Sequence, residues 1–105
     1  MVGKFVPVVD SKQSAAFYRK VLLAYLIDSQ ASVNLKVLEQ KTGWPKRTIQ
    51  DSLREIKTIS VSVSFHGSAK SGHYKVDSWG VLDKDKVYTS ITAIESSLNQ
   101  YLTHK

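Results

Sequence analysis

The 105-residue sequence contains no cysteine, which excludes disulfides, thiolate metal sites and cysteine nucleophiles. That absence fits a reducing compartment, and the cytoplasm is the expected location. Long apolar runs are missing too: stretches such as Val21 to Ile27 are far too short to span a bilayer. The N-terminal MVGKFVPVVD has neither an apolar signal core nor a small-residue cleavage site, so no export and no membrane contact are expected. Groups suited to catalysis are scarce. His66, His73 and His104 with scattered carboxylates form no convergent set, and HGSAKSG lacks the GxxxxGK[ST] spacing of a phosphate-cradling loop. Two imidazoles, even if His66 faces His73 across a hairpin, make an incomplete metal site without an acidic or sulfur ligand. Neither an enzyme nor a cofactor is expected. There is no internal repeat and no low-complexity tract, and the length suits a single domain over residues 1–105.

What the chain has in excess is positive charge, +6 net. Between Asn34 and Val76 eight basic and three acidic residues account for +5 of that total. A basic balance favours polyanionic partners, and here it is concentrated in one segment.

That segment contains LKVLEQKTGWPKRTIQDSLREI, Leu35 to Ile56. Leu35 and Leu38 share a helical face that ends at Thr42-Gly43, where glycine can take the left-handed conformation that stops a helix. Pro45 suits the first position of a second helix, which the apolar residues Ile49, Leu53 and Ile56 carry to Thr58 at spacings of four and three. Two helices joined by a tight turn, within 34–58, are the skeleton of a helix-turn-helix. The second helix turns Lys46, Arg47, Gln50, Asp51, Arg54 and Lys57 away from its apolar stripe, as long polar side chains able to reach phosphates or base edges. Trp44, beside the turn, is expected in the core.

Upstream, Asp10-Ser11 is a helix-start signal for a segment running to Ser29 with an apolar face of Phe17, Val21, Leu22, Ala24, Tyr25 and Leu26. Ser32 or Asn34 is the candidate cap of the helix that follows. Downstream the period changes from 3.6 to 2. Val61, Val63 and Phe65 alternate with serines, HGSAKSG follows, and Tyr74 and Val76 alternate with His73, Lys75 and Asp77, which predicts a hairpin over 60–77 with Lys70 at or near its tip. A final amphipathic helix over 83–102 carries Val87, Ile91, Ile94, Leu98 and Tyr101. Its stripe suits either packing on the first helix or a two-fold interface with a second copy.

The expected class is therefore α+β, mainly α: three helices, a hairpin and a long terminal helix. The order, together with Leu38, Thr42, Gly43, Trp44, Arg47, Thr48, Ile49 and Leu53 in the run LEQKTGWPKRTIQDSLREI, resembles small prokaryotic winged helix-turn-helix proteins that look like transcriptional regulators. One position departs from that pattern: four residues before the turn glycine the family usually has a small residue, and here Glu39 must tilt outward or open the helix crossing. The resemblance implies that the helix Pro45 to Thr58 lies in the major groove of double-stranded DNA, with Lys46, Arg47, Thr48 and Gln50 near base edges. It also implies that the hairpin around Lys70 is a wing on the adjacent minor groove or backbone. On this reading Lys36, Lys41, Lys57, Lys70 and Lys75 grip phosphates, Arg47 can pair with guanine and Gln50 with adenine. Arg54 either reaches phosphate or pairs with Asp51 or Glu55. A homodimer through the terminal helices would address a two-fold operator. The alternative is a winged helix serving as a protein-contact module, which would expose aromatics or aliphatics in place of the basic face. RNA is less well supported, because Phe5, Phe17 and the tyrosines form no stacking cluster in the sequence.

Overall fold

The computed structural model describes residues 6–104. Their elements follow the order α1 (Lys12–Ser29), α2 (Leu35–Thr42), α3 (Lys46–Arg54), a 3-10 turn (Ile56–Ile59), β1 (Ser62–His66), β2 (His73–Ser78) and α4 (Lys84–Thr103).

The first helix starts where its capping chemistry dictates. The Ser11 hydroxyl accepts the Ser14 N–H at 3.1 Å and the Ser14 hydroxyl accepts the Ser11 N–H at 3.0 Å, a reciprocal cap. Val21, Leu22, Leu23 and Ala24 are buried in succession, so α1 is covered on all sides and not only along one stripe. The α4 helix covers one flank, laying Val87 and Ile94 on Val21. Another flank meets Leu38, Trp44, Ile49 and Leu98, and a third cluster joins Ala24 to Ile56 and Val61. The terminal stripe is thus packed within its own chain. A polar clamp fixes the same contact: the Tyr88 hydroxyl donates to Asp28 Oδ2 at 2.7 Å, and Lys84 Nζ lies 3.2 Å from that oxygen.

The turn between α2 and α3 forms as its residues require. Asn34, not Ser32, caps α2 by accepting the Val37 N–H at 2.9 Å. Gly43 closes the helix at φ 73°, its N–H donating to the Glu39 carbonyl at 2.8 Å. The Thr42 hydroxyl donates to the Leu38 carbonyl and accepts from the Trp44 N–H, which directs the indole into the core at 9% exposure.

Two boundaries differ from the sequence expectation. Pro45, at φ −60° and ψ 146°, is the cap residue before α3 and not its first helical residue. The α3 helix ends at Arg54 and not at Thr58; after Glu55 the chain tightens into the 3-10 turn, where Thr58 donates both its N–H and its hydroxyl to the Glu55 carbonyl. The tighter winding turns Ile56 onto Ala24 and Val61 and delivers the chain into β1.

The hairpin pairs Val63 with Val76, Phe65 with Tyr74 and His66 with His73. Val61 is fully buried but precedes the strand, which begins at Ser62. Tyr74 N–H donates to the Val33 carbonyl at 2.8 Å and ties the hairpin to the segment leading into α2.

Candidate nucleic-acid interface

The α3 helix anchors its inner side with Ile49, fully buried, and Leu53, half-buried against the main core. At about 100° per residue, Lys46, Arg47, Gln50 and Arg54 fall within about 100° of one another, on the flank that adjoins Leu53 and continues outward from it. All four are exposed. Pro45 offers no side-chain cap, so the first N–H groups of α3 and the two basic residues of its first turn give one positive end.

The other candidate residues are spread differently. Thr48 and Asp51 are half-buried and line a shallow groove of about 230 Å³ against Ala16, Arg19 and Lys20 of α1. Thr48 therefore sits on the α1 flank of α3, away from Lys46 and Gln50. Arg54 is ion-paired with Asp51, whereas Glu55 takes no part in the pair. Lys57 is exposed on the 3-10 turn, off the helix on which sequence reasoning put it. Lys70 is exposed in the loop joining the strands, where the Ser71 N–H donates to the Ser68 hydroxyl and the Gly72 N–H to the Ser68 carbonyl. Lys75 is exposed on β2, directly across from Ser64. It shares that outward sheet face with His66 and His73, whose rings stack at 6.1 Å while Ser64 Oγ lies 2.7 Å from His66 Nε2. Among the described residues no three or more His, Cys, Asp or Glu side chains gather as metal ligands would.

Sequence reasoning missed one component. Phe65 was expected to complete the inward apolar face of β1, yet it is 44% exposed. Beside the loop that joins the strands, the inward side of the sheet is only partly covered. What opens instead is a groove of about 490 Å³ between α2, the start of α3 and the hairpin, lined by Leu35, Lys36, Glu39, Lys46, Phe65 and Tyr74. Glu39, the departure noted in the motif, is half-buried and lines this groove. Burial raises the Tyr74 phenol above its ordinary pKa of 10.0, so it faces the groove as a neutral hydroxyl.

A helix pair with a left-handed glycine turn, a solvent-facing basic second helix and a two-stranded hairpin beside it define a winged helix. The chain belongs to the winged helix-turn-helix family, whose model matches residues 12–98. It is also similar to a DUF2131 family protein from Shewanella amazonensis SB2B of known crystal structure. The two are 34% identical and superpose with a TM-score of 0.78, the match covering 86% of this chain and 89% of that one. No curated protein matches it. Winged helix-turn-helix domains are in general DNA-binding and are typically not enzymes. Among the described residues no helix is long and apolar enough to cross a membrane.

Proposed function

We propose that the protein binds double-stranded DNA sequence-specifically as a small prokaryotic transcriptional regulator, with α3 in the major groove and the hairpin as a wing on the adjacent backbone or minor groove. The observation that carries this reading is the exposed side of α3: Lys46, Arg47, Gln50 and Arg54 together, with no aromatic or aliphatic side chain among them. Arg47 and Gln50 supply base choice, since a guanidinium fork matches guanine O6 and N7 and an amide matches adenine N6 and N7. Lys46 stands at the same helix start, and Thr48 takes a supporting place on the flank. Lys36, Lys41, Lys57, Lys70 and Lys75 neutralise phosphates, and affinity falls steeply with salt as counterions are released. Arg54 spends its charge on Asp51, so the pair orients the helix surface more than it grips the backbone.

Support for a homodimer comes from the small footprint of one chain and not from α4, whose apolar stripe is engaged with α1. Sedimentation with and without duplex decides between one copy and two, and a monomeric mass in both conditions removes the dimer. The rival reading, a protein-contact module, draws no support from Trp44, which is buried. Selection from a random duplex library at two salt concentrations tests the function. The expected result is an enriched motif whose binding weakens with salt; no enrichment at either salt transfers the protein to the contact-module class.

A further inference from the structure

The groove between the start of α3 and the hairpin has a composition that phosphate gripping alone does not explain. Two lysines, Lys36 and Lys46, line it together with an exposed aromatic ring, Phe65. That ring is held in place: it meets Tyr74 edge to face at 5.0 Å, and Gly72 lies so close beneath it that a Cβ there would collide with the ring. A rigid apolar surface that shares a groove with two cations matches a sugar flanked by phosphates.

Geometry specifies which sugar. If α3 occupies the major groove and the hairpin the adjacent minor groove, one DNA strand separates those grooves and must pass between the two elements. The 490 Å³ groove lies between them. We infer that this strand's sugar–phosphate backbone runs through the groove, with Phe65 packed on a deoxyribose and Lys36 and Lys46 on the phosphates to either side. The inference rests on the DNA-binding reading above and adds a third contact to it, centred on Phe65, which neither base reading nor the hairpin tip accounts for, and it moves Lys46 from base edges to a phosphate. Because every nucleotide presents a sugar, the Phe65 contact is blind to sequence. Because it is apolar, it releases no counterions.

Glu39 works against this contact. Its carboxylate lines the same groove and pairs with neither Lys36 nor Lys46, so the phosphates meet a like charge. Glu39 thereby lowers affinity for all duplexes equally.

The experiment measures affinity by fluorescence anisotropy for two unrelated duplexes over a salt series, using the parent chain, Phe65→Ala, Glu39→Gln and, as a distant charge control on α4, Glu95→Gln. Phe65→Ala is expected to bind both duplexes about tenfold more weakly, the loss of roughly half a buried ring, with an unchanged slope of log affinity against log salt. Glu39→Gln is expected to bind both about threefold more tightly while Glu95→Gln matches the parent, and a gain of affinity is an outcome that a folding defect does not produce. If Phe65→Ala binds like the parent, if its loss is confined to one duplex, or if Glu39→Gln gains no more than Glu95→Gln, the backbone path through the groove is wrong while DNA binding stands. If the parent binds neither these duplexes nor any other, the DNA-binding reading itself fails.

Discussion

Replacing Gly43 by alanine isolates the backbone requirement of the turn that presents α3. At φ 73° an L-residue is strained, and a Cβ built on Gly43 meets nothing within 4 Å, so the cost contains no steric collision. The left-handed conformation costs a non-glycine residue about 1–2 kcal/mol. The reduced freedom of the unfolded chain returns about 0.4–1 kcal/mol. The net loss is therefore about 1 kcal/mol. With about 2.1 cal/mol/K of unfolding entropy per residue, a chain of 105 residues turns that loss into a drop in Tm of about 4–5 °C. Gly43→Asn should lose about half as much, because asparagine tolerates this region better. Calorimetric melting of the parent and both variants is the assay. An alanine variant as stable as the parent would refute the argument, since no other contact at this position is available to offset the strain. A loss above about 3 kcal/mol would also count against it, by requiring a collision that the geometry does not contain.

Further perturbations separate the roles of other residues. Arg47→Ala should relax base preference at one position of the selected site by about 1–3 kcal/mol, read as a flattened specificity profile in competition binding. Lys70→Ala should weaken binding to every duplex alike and lower the magnitude of the salt slope by about one, and an unchanged slope would remove the loop from the interface. Tyr88→Phe deletes the hydroxyl bond to Asp28 and should cost about 1–2 kcal/mol of stability without altering DNA affinity. The same residue predicts a pH effect. Burial first, then the Asp28 hydrogen bond and charge and the nearby Tyr25, push the Tyr88 phenol above its ordinary 10.0. Its contribution is complete below pH 10 and is lost as pH rises further, because the unfolded chain ionises there while the folded one keeps its proton. The parent should lose stability more steeply than Tyr88→Phe above pH 10 in denaturant titrations.

Much of this architecture could be read from local chemistry in the sequence. Ser11 and Gly43 mark helix ends because each performs a backbone task that few residues do well, whereas Ser32 and Asn34 suit the cap of α2 equally and only the fold selects Asn34; the alternation of Val63, Tyr74 and Val76 marks the hairpin because strand side chains alternate by necessity. The end of α3 was hidden for a physical reason: an apolar spacing of three, as between Leu53 and Ile56, fits α-helix and 3-10 turn equally, and only packing on Ala24 and Val61 decides between them. Phe65 was misread because alternation reports which face a residue takes, not whether anything covers that face. Thr48 shows the reverse. Family likeness placed it with Lys46 and Arg47, whereas its helical angle already set it toward the flank that meets α1. The basic side of α3 was legible from charge alone, but the groove was not, since it joins Lys36 to Phe65 across elements that only folding brings together.

An amide chemical-shift map of the protein titrated with its selected duplex locates the DNA-binding surface most directly. The largest changes are expected on Lys46, Arg47 and Gln50, with a second group at Lys36, Phe65 and Lys70, while α4 from Ile91 to Leu102 stays unmoved. Changes concentrated on α4, with α3 and the hairpin undisturbed, would contradict the placement of DNA on α3.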